Sequence, residues 1–407
     1  MTSATPDHSG RILVLLGIRP DVIRCALILR LLKERLGDRC VFAWSGQHYS
    51  DNMKDIFFRQ LEIAPPDLEL GASGSTDGEI VASVIERLSA ALVDIRPAAT
   101  IFLGDTNTVM GSIACASLNV PIVHIEGCMR SYDWRMPEEK YRTVIDHLAD
   151  VIYAYFPEYK RQGELEGLDS ERIVVTGNPI VDILETYFLS GRIRLSDADR
   201  IALFADYGIG PDDSFLVMTS HRRENVENPD SLQRIISLAG ESGMPVAFPA
   251  SYRTQRTLQE FAIEIPANVH ISDPIGYSEL LELMVHSKGA LTDSGTVVEE
   301  AAVLGVPCVQ MRTATERPQV YDCGASVKFD PHVDAGADGR AEILAGLARR
   351  ASGDWTHTLG DGHASERIVD DLCARLENDT FRGHAPDAMR RPIHRSYGTG
   401  TSGLGRS

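Results

Sequence analysis

Short apolar, β-branched runs alternate with amphipathic stretches along almost the whole chain. The runs occupy residues 12–17, 41–46, 100–105, 121–126, 151–155 and 173–177, then 215–220, 245–249, 269–272, 290–293 and 307–311. Most are four to seven residues long and bounded by Gly, Pro, Asp or Asn, the pattern of strands buried in a parallel sheet. Helical patterns lie between them at 22–36, 78–94, 138–149, 231–241, 277–286 and 297–304. This alternation implies an α/β fold whose parallel sheets are covered on both faces. The strand runs form two groups parted by residues 184–206, so two doubly wound domains are expected. The first spans 11–180 with a helix near 364–378 crossing back to it, and the second spans 181–362. Residues 381–407 hold five Arg against one Asp and few apolar residues, the composition of a disordered tail.

With 407 residues, 43% of them hydrophobic, the chain can bury two sizeable cores. No run approaches the roughly 18 apolar residues that a spanning helix needs, and no membrane partner is expected. The apolar run that opens at Ile12 is halted by Arg19-Pro20-Asp21, as a first strand and its turn rather than a signal peptide. An excess of 58 acidic over 40 basic residues opposes nucleic-acid binding, yet leaves room for a small phosphorylated ligand. Seven cysteines, odd in number and without a C-x-x-C pair, suggest a reduced cytoplasmic protein without structural zinc.

Ligands of doubly wound sheets bind beyond the carboxyl ends of the strands. The residues there are Arg19 and Arg24, Gln47, Asp105, Glu126 and Arg130, then His221 and Arg222, Ser294-Gly295-Thr296, and the stretch 312–317. Their concentration at one rim implies a cleft between the domains. The turn 17–19 lacks G-x-G-x-x-G and reads equally as a tight strand-to-helix turn. The 293–296 segment opens a helix with small residues, suited to a phosphate, although Ser294 also serves as a simple cap. Arg222 and Arg223 beside His221 form a third candidate anion site. Asp105, Glu126 and Glu138 would share the cleft and raise each other's pKa, leaving one as acid and another as base. A first-turn acid such as Glu138 also complements a helix dipole. A metal on Asp105, His124 and Glu126 is not expected, because His124 lies deeper along its strand.

At this point the residues resemble a known family. GIRPDVIR (17–24), SGQH (45–48), GDTNT (104–108), HIEGCMRS (124–131), PEEKYR (137–142), TGNP (176–179), SHRREN (220–225), DSGTVVEE (293–300) and TERP (315–318) follow in order. Over residues 11–378 the chain resembles the non-hydrolysing UDP-N-acetylglucosamine 2-epimerases. The resemblance implies two Rossmann-like domains in a GT-B arrangement closing over a UDP-sugar, in a homodimer and without a cofactor. It implies C2 epimerisation by anti elimination of UDP and re-addition to a 2-acetamidoglucal. It assigns catalysis to Asp105, Glu126, Glu138 and His221. It assigns substrate binding to Arg19, Arg24, Gln47, Arg130, Arg222, Tyr277, Ser294, Gly295, Thr296, Glu300 and Arg317, with Glu300 on the ribose hydroxyls.

Three segments depart from the family pattern: 124–130, the D-S-G-T form at 293–296, and Pro249-Ala250-Ser251-Tyr252-Arg253 in place of P-V-H-x-N-P. The D-S-G-T form and Arg253-Thr254 resemble a branch acting on modified sugars, of the UDP-diacetamido-glucuronate or UDP-acetamido-dideoxy-L-talose type. A hydrolysing epimerase, a GT-B glycosyltransferase and a non-catalytic UDP-sugar sensor are the competing functions. The histidine replaced by Ser251 belongs to an allosteric UDP-N-acetylglucosamine site in many members. Hyperbolic turnover of UDP-N-acetylmannosamine supplied alone is therefore expected. Sigmoidal kinetics with silence on that sugar alone would contradict it.

Overall fold

The computed structural model describes residues 10–46 and 58–382. Gln47 and the 383–407 part of the expected tail lie outside the described residues. Two parallel sheets carry the chain. The first has seven strands: β1 (Ile12–Leu16), β2 (Cys40–Trp44), β3 (Leu68–Glu69), β4 (Ala99–Leu103), β5 (Ile122–Ile125), β6 (Val151–Ala154) and β7 (Ile173–Val175), in spatial order β3-β2-β1-β4-β5-β6-β7. The second has six: β8 (Leu216–Thr219), β9 (Val246–Pro249), β10 (Val269–Ser272), β11 (Ala290–Thr292), β12 (Cys308–Met311) and β13 (Ser326–Phe329), in order β10-β9-β8-β11-β12-β13.

The central strands β1, β4, β5 and β6 are buried along their whole length, which is why they read as unbroken apolar runs. Of the edge strands, β7 and β10 were expected and β3 and β13 were not. β3 has only two residues, and the exposed Lys328 interrupts β13 in SVKF. Helices Pro157–Leu165, Asp197–Ala205, Tyr252–Glu260 and Gly336–Arg349 also went unexpected. Ser196 and Ser251 cap the middle two through their hydroxyls, a local signal that a search for apolar periodicity passes over. The first helix runs Arg19–Leu36, starting before the expected residue 22 because Pro20 is favourable in a first turn.

Each sheet reverses its winding once, between β1 and β4 and between β8 and β11. At such a switch point neighbouring connections leave in opposite directions and open a crevice at the carboxyl ends. The segments after β1, β4 and β5 therefore face those after β8, β11 and β12. Helix Ala364–Asn378 lies against the first sheet: Tyr153 donates to Asp371 at 2.8 Å, and the backbone N–H of Ser365 to Asp182 at 2.5 Å. Phe381, beyond it, is buried. The seven cysteines are free, and no helix among the described residues is long and apolar enough to cross a membrane.

The strand-to-helix turn after β1 admits no side chain at Gly17. A Cβ there would sit 1.9 Å from Thr108 Oγ1 and 2.6 Å from Ser45 Oγ, two buried hydroxyls bonded to each other at 3.0 Å. Gly17→Ala should therefore lower stability by about 1–3 kcal/mol, the usual cost of overpacking, in urea unfolding. An unchanged midpoint would contradict this close approach.

Candidate active site

Between the sheets lies a cleft of two adjoining lobes, of about 870 and 780 Å³. The first holds Asp105, Glu126 and Glu138, with Arg24, Arg222 and Arg317. The second holds Arg19, Tyr277, Glu300, Ile275, Pro249 and Tyr252. His221, Ser294 and Thr296 border both, so the start of helix Gly295–Val303 stands at the junction.

That junction is built from local sequence. Ser294 caps the helix by accepting from the Val297 N–H at 3.4 Å, and Gly295 leaves the space that Arg317 fills. A Cβ at Gly295 would lie 2.5 Å from Arg317 Nη1. Asp293 is fully buried and accepts from Ser220 Oγ at 2.9 Å, from the backbone of His221 and Arg222 at 3.1 Å, and from Asn225. It thereby shapes the 220–225 turn. His221 Nδ1 stands 3.6 Å from Asp293, while the ring faces the cleft. Desolvation, only partly offset by Asp293, holds His221 below its ordinary value.

The carboxylates are interleaved with guanidinium groups. Glu126 is 1% exposed and meets Arg24, Arg317 at 2.9 Å and the Tyr155 hydroxyl at 3.1 Å. Arg317 also reaches Glu299 at 3.1 Å and Glu316. Glu316 receives Arg312 at 2.8 Å and stands 3.8 Å from Arg222. Burial works to raise Glu316, but Arg312, Arg317 and Arg222 outweigh it and hold its carboxyl well below the usual range.

This arrangement corrects the expectation that the three acids raise one another. Burial also works to raise Asp105, yet its contact with Arg142, backed by Arg222, leaves it below the ordinary value. Glu138 has no ion pair among the described residues: burial and then Asp105 push it up, only partly offset by Arg222. Two neighbouring acids are thus driven apart. In the second lobe Tyr277 donates to Glu300 at 2.7 Å, and burial lifts Glu300 to about 7 despite that bond. Arg19 donates to the Ile275 carbonyl at 3.2 Å, reaching across to the second sheet.

Arg130 is a correction. It borders neither lobe; its guanidinium is buried against Asp146 at 2.7 Å and Glu166 at 2.7 Å. The backbone at Glu126 and Cys128 takes φ of 75° and 64°, and this tight turn carries Arg130 away from the cleft. His124 lies beneath the site, as its strand position implied, and among the described residues no group of three His, Cys, Asp or Glu could hold a metal ion. Sequence reasoning passed over Arg142, Glu299 and Glu316, and over the Asp77–Arg223 ion pair, 2.6 Å long, that crosses the cleft mouth. Arg142 was within reach of a spacing argument, since it follows Glu139 by one helical turn on the same buried face.

Residues 32–373 match the profile of the UDP-N-acetylglucosamine 2-epimerase family. The chain is 32% identical to the UDP-N-acetylglucosamine 2-epimerase of Methanocaldococcus jannaschii, over 88% of this chain and 97% of the relative. It is 31% identical to the UDP-2,3-diacetamido-2,3-dideoxy-D-glucuronate 2-epimerase of Pseudomonas aeruginosa, over 89% and 99%. The crystal structure of the M. jannaschii enzyme in complex with UDP-N-acetylglucosamine and UDP superposes with a TM-score of 0.81, at 30% identity, over 89% of this chain and 99% of that one. The paired sheets are those of the GT-B arrangement.

Arg317 is 3% exposed and balances three buried acids. Arg317→Met should cost about 3–5 kcal/mol, because it strands buried negative charge. Equilibrium unfolding checks this, and a change below 1 kcal/mol would contradict the network.

Proposed function

The chain belongs to the UDP-N-acetylglucosamine 2-epimerase family, and from that premise we propose that it interconverts UDP-N-acetylglucosamine and UDP-N-acetylmannosamine without hydrolysis. The carrying observation is the division of the cleft. Two acids of opposite tendency, Asp105 and Glu138, share one lobe, and cations with a helix N-terminus lie at its junction with the other.

The C2 hydrogen of such a sugar has no carbonyl beside it, so removal of that proton needs simultaneous loss of a good leaving group from C1. Asp105, kept ionised by Arg142, takes the C2 proton as the C1–O bond breaks and a C1–C2 double bond forms. UDP departs with the bond's electrons. The helix N-terminus at 294–296 with Arg19 and Arg222 meets the growing phosphate charge. Neutral His221 stands beside them to donate to or accept from the diphosphate. Glu138, whose carboxyl is pushed up by burial and Asp105, is the acid that then delivers a proton to the other face of C2, and the phosphate oxygen re-forms its bond to C1. The reverse reaction exchanges the two roles. Glu126, between Arg24 and Arg317, is the third carboxylate of the sugar lobe and ties it to the cationic junction. Glu300 and Tyr277 take the ribose hydroxyls, and no metal or nicotinamide takes part.

A homodimer belongs to this reading. Adjacent helices over the first sheet leave Val93, Leu118 and Val144 exposed, an apolar surface for a second copy. A reducing cytoplasmic location suits seven free cysteines. A second reading, a diacetamido-glucuronate substrate, is favoured by the likeness to the P. aeruginosa enzyme. Proton NMR of each UDP-sugar with the enzyme separates them: new anomeric signals of UDP-N-acetylmannosamine support the first reading. Turnover of the uronate alone supports the second, and free UDP with free sugar indicates a hydrolysing enzyme.

Asp105→Asn and Glu138→Gln should each cut turnover by about 10²–10⁴-fold, the usual worth of a proton-transfer group, while calorimetry shows UDP still bound. Near-normal rates would overturn the assignment. Arg142 lowers the Asp105 carboxyl, so Arg142→Met should raise it and move the ascending limb of the pH profile of kcat/KM to higher pH. An unmoved or downshifted limb would remove Asp105 as the base.

A further inference from the structure

Beneath the cleft, and touching neither lobe, Asp146 and His124 are completely buried. His124 Nε2 lies 2.8 Å from the carbonyl oxygen of Gly104, the residue before Asp105. His124 Nδ1 lies 2.7 Å from Asp146 Oδ1. The other carboxylate oxygen accepts from the Cys128 N–H at 3.0 Å and from Arg130 Nη1 at 2.7 Å. Both ring nitrogens thus face acceptor oxygens. Burial alone would raise Asp146, but His124 and then Arg130 outweigh it and hold the carboxyl below its ordinary value.

The partners of Asp146 lie beside the elements that carry the acids. Gly104 precedes Asp105, and Cys128 follows Glu126 by two residues. Asp146 itself lies on helix Pro137–Leu148, which bears Glu138 near its start and Arg142 one turn before Asp146. Glu126 and Cys128 are non-glycine residues at φ of 75° and 64°, conformations that persist only where surrounding bonds impose them. Gly127 between them leaves no spare room: a Cβ would sit 2.8 Å from Asp146 Oδ1 and 3.2 Å from His124 Nδ1.

We propose that Asp146, acting through His124 and the Cys128 N–H, is the positioning residue that holds the loops of Asp105 and Glu126 in register with the helix of Glu138. The kinetic part of this proposal rests on the epimerase reading; the structural part does not. The three acids must share one sugar ring, and misplacement of a reacting group by about 1 Å can cost on the order of 10²-fold in rate. Arg130 and Glu166 extend the cluster outward and keep Asp146 paired.

The test compares full-length Asp146→Asn with wild type by steady-state kinetics, UDP calorimetry and hydrogen exchange of the UDP-bound protein. The variant should lose roughly 10–100-fold in kcat, the range seen when groups behind a site are removed, with KM and UDP affinity nearly unchanged. Exchange should rise together in peptides covering 104–106 and 126–129. Should Asp146→Asn fail to fold, His124→Asn keeps a donor to Asp146 and releases Gly104, so exchange should rise at 104–106 and not at 126–129. A wild-type kcat in Asp146→Asn, or a rise spread evenly over the protein, would overturn the proposal. If wild type turns over no UDP-sugar, the epimerase reading fails, and the exchange pattern alone decides the role of Asp146.

Discussion

Arg317 joins the two sheets with one buried guanidinium. It leaves the second sheet after β12, passes over the bare backbone of Gly295, and bonds Glu126 at the end of β5 together with Glu299 and Glu316. A buried pair of this kind adds little net stability over a well-packed apolar contact, because desolvation offsets most of the attraction. Its value here is geometric. The forked donor fixes the distance between the lobe that holds the acids and the helix start at Ser294. The constraint runs on through Glu126 to Arg24 and through Glu316 to Arg312 and Arg222, so a chain of ion pairs braces the wall of the first lobe.

That arrangement explains how one cleft can hold several carboxylates and still admit an anionic ligand. Asp105, Glu126 and Glu316 each touch at least one guanidinium, which cancels their field toward the second lobe. Glu138 forms no ion pair among the described residues, and burial with Asp105 pushes its carboxyl up. A base and an acid therefore arise from the same side-chain chemistry, set apart by the guanidinium groups around Asp105, Arg142 first. Reversible epimerisation calls for such a pair, since each acid must regain the other's state when the reaction runs backward.

The fold was legible because parallel strands covered on both faces must be apolar throughout, so β1, β4 and β5 announce themselves. The short β3 and β13, interrupted by the exposed Lys328, do not, since an edge strand needs neither length nor two dry faces. At the site, topology made strand-end residues such as Asp105, Glu126 and His221 readable. Their partners were not. Asp146 and Glu316 are single polar residues within a helix and a loop, and nothing local in sequence says what a buried charge will face. Arg130 shows the converse error: it follows a strand as a ligand should, but two left-handed residues before it turn its side chain inward.

The most direct measurement follows the C1–O bond. A UDP-sugar that the enzyme turns over is labelled with ¹⁸O in the oxygen bridging C1 and the β-phosphate, and ³¹P NMR tracks that label. Elimination frees the diphosphate to rotate, so the account predicts that ¹⁸O moves into non-bridging positions of recovered UDP-sugar while deuterium from D₂O enters C2. Epimerisation with the label fixed in the bridge and no deuterium at C2 would contradict the division of the cleft into a proton-transfer lobe and a leaving-group junction.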